Sequence, residues 1–165
     1  MNKLIIFFVG IFISIGCNNQ QPREPEFTYE TYLNQDYEFQ FEYPTKMDVV
    51  MNHLDGIRLG YPEKDILLGG YHAFIINDES DWVNLKEAYD QDLKSENVKY
   101  SNTEFYDEDY YFLEGIIDGK TSFMKYTINS ERGFYIIEIQ YTDEKDVQLC
   151  KAIVNHAKNT FKRIE

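Results

Sequence analysis

Apolar residues in this chain first form a block. Residues 4–15 are an almost unbroken apolar run of twelve, preceded by Met1-Asn2-Lys3 and closed by Ser14-Ile15-Gly16-Cys17. A run of that length is too short to span a bilayer comfortably and matches the core of a signal peptide. The next stretch, NNQQPREPEFTYETYLNQ, has no apolar period and carries Pro22 and Pro25. Residues 17–35 therefore read as a flexible tether between residues 1–16 and a domain over 36–165. That domain opens with alternation: Tyr37, Phe39, Phe41 and Tyr43 are separated by single polar residues until Pro44. The period of two predicts a strand with four aromatic side chains on one face.

Residues 56–61 and 67–76 read as further strands, with Pro62-Glu63-Lys64-Asp65 as the turn between them. Over 81–95 the period lengthens: Leu85, Ala88, Tyr89 and Leu93 share one helical face. Asn84 followed by Glu87 has capping-box spacing, and Asp81 would serve an earlier start. Residues 98–106 carry a weaker strand pattern. Residues 110–117 and 121–128 flank Asp118-Gly119, a pair suited to a hairpin turn with positive φ at both positions. A turn over 129–133 leads into a strand over 134–141, completing an antiparallel meander. A helix over 143–162 closes the chain, its stripe made by Val147, Cys150, Val154, Ala157 and Phe161. Six or seven strands with a central and a C-terminal helix predict an α+β fold, a mostly antiparallel sheet packed against both helices.

The leader resembles the lipobox of bacterial lipoproteins. Gly16 supplies the small residue before the cut, while Ser14 departs from the usual Leu, Val or Ile. The resemblance implies cleavage between Gly16 and Cys17, a diacylglyceryl group on the Cys17 thiol, and a fatty acid such as palmitate on the new amino terminus. The partner implied is the membrane itself, and the place is the cell envelope. In a bacterium with two membranes, Asn18 lacks the inner-membrane-retaining aspartate, which points to the outer membrane facing the periplasm.

The domain resembles the PsbP-like superfamily, which includes the DcrB-like lipoproteins. The matching segments are YEFQFEYP, the central helix, EGIIDGKTSFMKYTI, GFYIIEIQYT and the closing helix ending in NTFK, within residues 36–163. The resemblance implies a binding or assembly module and supplies no catalytic set, cofactor or metal. Its ligand, a protein or a small molecule, stays open.

Charge narrows the partners. Removing residues 1–16 takes away Lys3 alone, leaving 15 basic residues against 29 acidic ones, a net charge of −14. Such a surface argues against nucleic acid and against electrostatic docking on anionic lipid. Solubility is the common explanation of such a surface; attraction of a basic partner is the sharper reading, and it suits the alternative of an immunity lipoprotein that neutralises a toxin. Cys150, the only cysteine left after lipidation, falls on the helix stripe, so no disulfide within the chain is available.

Catalytic motifs are not evident. Gly115-Ile116-Ile117-Asp118-Gly119-Lys120-Thr121 nearly spells a phosphate-binding loop but has three residues between its glycines rather than four, and a strand follows it. His53, His72 and His156 have no metal-ligand spacing; His72 reads as a satisfied structural histidine and His156 as a cation near a helix C-terminus. The clusters 78–81 and 107–109 read as solvated loop charge, with calcium as the sharper alternative. Neither has the glycine or terminal glutamate of an EF-hand. An enzyme would need a site assembled from distant residues. Among 14 tyrosines, Tyr106, Tyr110 and Tyr111 flank the second acidic cluster and form the candidate surface patch.

Overall fold

The computed structural model describes residues 27–74, 83–131 and 133–164. Gly16, Cys17, Asp81 and the acidic cluster at 78–81 lie outside them. In chain order the elements are β1 (Tyr29–Asn34), β2 (Phe39–Pro44), β3 (Asp48–His53), β4 (Gly56–Gly60), β5 (Ile66–Ala73), α1 (Leu85–Asp92), β6 (Val98–Tyr106), β7 (Tyr110–Ile117), β8 (Thr121–Ser130), β9 (Gly133–Tyr141), α2 (Val147–Thr160) and β10 (Lys162–Arg163). The strands form two antiparallel sheets. One has the order β1-β2-β10; the other has seven strands in the order β3-β4-β5-β9-β8-β7-β6.

The α+β reading holds, and two strands add to it. β1 lies inside the span expected to be tether, so the ordered domain begins before residue 36. Its backbone pairs with β2 from Tyr29↔Pro44 to Asn34↔Phe39. The sequence hides it because an edge strand whose side chains mostly meet water needs no apolar alternation. β3 was likewise not anticipated: all six of its residues are exposed.

The main core lies between the inner face of the seven-stranded sheet, the small sheet and α2. Phe39 and Phe41 from β2 meet Leu59, Leu68, Ile137 and Ile139 from the large sheet, with Cys150, Ile153, Val154 and Ala157 from α2. Of the four aromatics expected on one face of β2, Phe39 and Phe41 are buried and Tyr43 only partly so. Tyr37 precedes the strand, because the positive φ of Glu38 interrupts the alternation there. Gly70 is required by this packing: a Cβ at that position would collide with the Phe41 ring. A smaller core forms on the outer face, where Leu85 and Ala88 of α1 cover Tyr111, Leu113, Phe123 and Phe134.

Local chemistry sets the element ends. Asn84 caps α1, its Oδ1 accepting from Glu87 N–H at 2.9 Å, while Glu87 Oε2 accepts from Asn84 N–H at 3.0 Å. Asp118 and Gly119 have φ of 50° and 67°, as the β7–β8 hairpin requires. α2 stops at Thr160, earlier than the stripe suggests, and Phe161 leaves it in an extended conformation. The Phe161 ring still reaches the core, 5.1 Å from Tyr135 and 6.1 Å from Phe39 between centroids.

Candidate functional site

One end of the sandwich carries a cleft of about 670 Å³, lined by the β1–β2 turn (Asp36, Tyr37, Glu38), the end of β5 (His72, Phe74), the β8–β9 turn (Ser130, Glu131) and the C-terminal segment. The turn is fixed by Asn34, a buried side chain. Its Oδ1 accepts from Tyr37 N–H at 2.9 Å, and its Nδ2 donates to the Leu54 carbonyl at 2.9 Å. On the opposite wall Tyr135 Oη donates to the Tyr37 carbonyl at 3.1 Å, and Ile164 N–H donates to the Glu38 carbonyl at 2.7 Å. Arg163 donates to the Asn129 carbonyl and holds its guanidinium 5.9 Å from the Tyr135 ring centroid.

The floor is aromatic. His72 is 5 % exposed and stacks on Tyr37 at 4.6 Å and 15°. Phe74 and Tyr135 meet the same imidazole edge-on at 4.7 Å and 5.2 Å. Burial pushes its pKa down, with Asp55 pulling weakly the other way. The expectation of a satisfied histidine therefore fails in part: Nδ1 is buried and, among the described residues, has no hydrogen-bond partner. Three rings pack around the imidazole, and its Nδ1 has no exposed surface, so His72 lines the cleft as a buried ring. Three carboxylates (Asp36, Glu38, Glu131) and one guanidinium (Arg163) thus surround a floor of rings.

The proposed tyrosine patch is divided by the pleat of β7. Tyr106 and Tyr110 stack at 4.4 Å, and Lys158 Nζ lies 4.3 Å from the Tyr110 ring centroid. Tyr106 Oη donates to Glu104, which pushes the phenol up to about 12. Tyr111 does not belong to this surface. It is fully buried on the other face of the sheet, donating to Asp92 Oδ2 at 2.6 Å. A strand turns neighbouring side chains to opposite faces, so adjacency in sequence could not keep Tyr110 and Tyr111 together.

Other titratable groups are built into the fold. Lys125 Nζ pairs with Asp92 Oδ2 at 2.5 Å. Glu138 is held above the usual carboxylate range by burial, against the pull of Lys125 and Arg58. It lines none of the described cavities. His156 is not a lone helix-end cation: it stacks on Tyr29 at 3.6 Å, and its Nε2 lies 2.8 Å from Glu42 Oε2. Cys150 is fully buried, and its thiol is pushed up to about 12. The acidic cluster 107–109 is the tight β6–β7 turn, with Asp109 N–H donating to the Tyr106 carbonyl at 3.1 Å. Among the described residues no three His, Cys, Asp or Glu side chains converge as metal ligands.

The architecture around this cleft is PsbP-like. It is similar to cyanobacterial PsbP (CyanoP) from Synechocystis, with a TM-score of 0.59, 13 % identity, and coverage of 90 % of this chain and 99 % of that one. It is also similar to the Ran-binding protein Mog1p of Saccharomyces cerevisiae, with a TM-score of 0.58, 10 % identity, and 85 % and 97 % coverage. A Bacteroides thetaiotaomicron structure aligns over 82 % of this chain but 48 % of its own, with a TM-score of 0.50 and 8 % identity. No family model matches the chain, and no curated protein matches it in sequence. At such identities the likeness establishes the fold alone.

Proposed function

We propose that this chain is a non-enzymatic binding module of the bacterial cell envelope, anchored by lipid on Cys17, and that the cleft receives a basic segment of a partner protein. The observation that carries the reading is the cleft itself: aromatic rings rimmed by Asp36, Glu38 and Glu131. Rings attract a cation through their faces and the carboxylates through charge, so a lysine or arginine side chain gains from both. The net charge of −14 left after removal of residues 1–16 extends that attraction beyond contact and speeds encounter. Mog1p, a Ran-binding protein by name, offers a precedent for protein recognition on this architecture.

Chemistry is disfavoured on physical grounds. The perturbed histidine is walled in by rings, the perturbed glutamate is half-buried behind Tyr71 and Arg58, and the thiol is buried. The test is capture from native membranes with Asp36→Lys, Glu38→Lys and Glu131→Lys combined. Recovery of the wild-type partner should fall at least about tenfold, the cost of roughly 1.4 kcal/mol in binding. Equal recovery would refute the cleft as the docking site. Loss of viability only when the chain is deleted in the presence of a toxin would favour the immunity variant of the same reading.

A further inference from the structure

Along the side of the molecule, one of the two outer edges of the large sheet presents apolar side chains to water. β3 is the terminal strand, and among the described residues nothing pairs with its outer edge. Val49, Val50, Met51 and Leu54 are exposed, Val50 to 60 % and Leu54 to 68 %. Leu33 of β1 is exposed beside Leu54, the two lining one shallow hollow. From Val49 to Leu54 the sequence VVMNHL holds no acid, in a chain with 29 of them. The register sets Val49 opposite buried Leu59 and Met51 opposite Arg58, so these side chains flank the edge on both faces, bracketed by Asp48 and Asp55. Exposed apolar side chains gathered at one edge mark a contact surface.

Two observations select its occupant. The first is where the tether enters. Nine residues separate Cys17 from Phe27, which caps their reach at about 30–35 Å. Thr28 is fixed against Thr45, whose N–H donates to its carbonyl at 3.0 Å, and β3 begins three residues later at Asp48. At the other end of the two strands, Asn34 Nδ2 bonds the Leu54 carbonyl. The β3 edge therefore begins beside the point where the described chain starts, with nine residues between that point and Cys17. The second is a bulge: the β3–β4 register slips between Val49 and Met51, leaving Val50 without a partner. A bulge twists an edge and spoils the ladder that an added strand or a second copy of β3 would need. Side chains, not backbone, are on offer.

We propose that this edge is a lipid-contact edge: Val49, Val50, Met51 and Leu54 seat their side chains in the interfacial layer of the membrane that holds Cys17, laying the domain on its side. The contact is apolar and needs no anionic headgroup, in keeping with the acidic surface. It rests on lipidation of Cys17, and the test separates the two.

The lipidated chain carrying Val50→Cys or Leu54→Cys is labelled with an environment-sensitive fluorophore. Cys150 is buried and does not compete. Lys120→Cys in the β7–β8 turn is the comparison. On phosphatidylcholine vesicles bearing a spin label high in the acyl chain, quenching at positions 50 and 54 should exceed that at 120 by about threefold or more, since an interfacial group sits roughly 5–10 Å into the boundary layer. Flotation of the same samples reports the anchor independently. Flotation with equal quenching at 50, 54 and 120 overturns the edge while leaving the anchor intact. Failure to float overturns the anchor, and quenching at saturating lipid then decides the edge alone. Self-quenching between labels at position 50, without lipid quenching, would assign the edge to a second copy and overturn the proposal.

Discussion

Gly70 and His72 sit two residues apart on β5, facing the core side by side, and each makes a measurable statement about the packing. Replacing Gly70 with Ala puts a methyl group into the Phe41 ring, a small-to-large change in a filled core. The expected loss is about 1–3 kcal/mol in denaturant unfolding, with the m-value unchanged. His72 gives a pH signature. Its folded pKa lies below the ordinary value, so the unfolded chain takes up the proton first as pH falls. Stability attributable to His72 is complete above the ordinary value of about 6.5 and declines below it, levelling off under the lowered folded pKa. His72→Gln should flatten that part of the curve relative to wild type in thermal melts from pH 7.5 to about pH 5. Parallel curves would mean that the imidazole titrates as though in water. Neither residue announces its role in the sequence, because both depend on the partner sheet: Phe41 lies 29 positions from Gly70 in the chain.

Elements with strong local chemistry were the legible ones. The capping box Asn84/Glu87 and the Asp118-Gly119 hairpin each encode their geometry within a few residues, and both form as read. Asn84→Ala should therefore cost about 1 kcal/mol, measured by chemical denaturation, with the loss confined to the α1 side of the sheet in hydrogen exchange. An unchanged unfolding midpoint would show that α1 is held by Leu85 and Ala88 alone. β1 and β3 were illegible for the opposite reason. Their register comes from long-range pairing, with Tyr29–Asn34 on β2 and Asp48–His53 on β4, and exposure removes any need for apolar alternation. The early end of α2 is also tertiary in origin. Thr160 Oγ1 accepts from Glu42 N–H at 3.0 Å and donates to the His156 carbonyl at 2.8 Å, pinning the last turn to β2 and releasing Phe161 into the core.

At the scale of the whole molecule, the described domain joins an exposed apolar edge to an acidic, ring-floored end, and the proposed anchor would precede both. Its candidate site was barely legible, since Tyr37, His72, Glu131 and Arg163 come from four distant segments that only the two-sheet topology brings together. The tyrosine patch, read from adjacency, lost Tyr111 to the opposite face. Long-range charge makes its own prediction. Partner capture should weaken steadily as salt rises from about 0.01 M to 1 M, because the screening length shrinks from about 30 Å to about 3 Å. Salt-independent capture would point to an apolar contact instead. Cys17→Ser should release the chain from the membrane fraction or leave it uncut; wild-type fractionation and migration would exclude the lipid.

Site-specific photocrosslinking in native membranes addresses the central claim most directly, with the probe at Glu131 beside the cleft and, separately, at Lys120. The ten residues of β8 separate these positions by about 30 Å. A basic protein crosslinked in discrete yield from position 131 and absent from position 120 is the predicted result. No adduct at 131, or the same adducts from both positions, would contradict it.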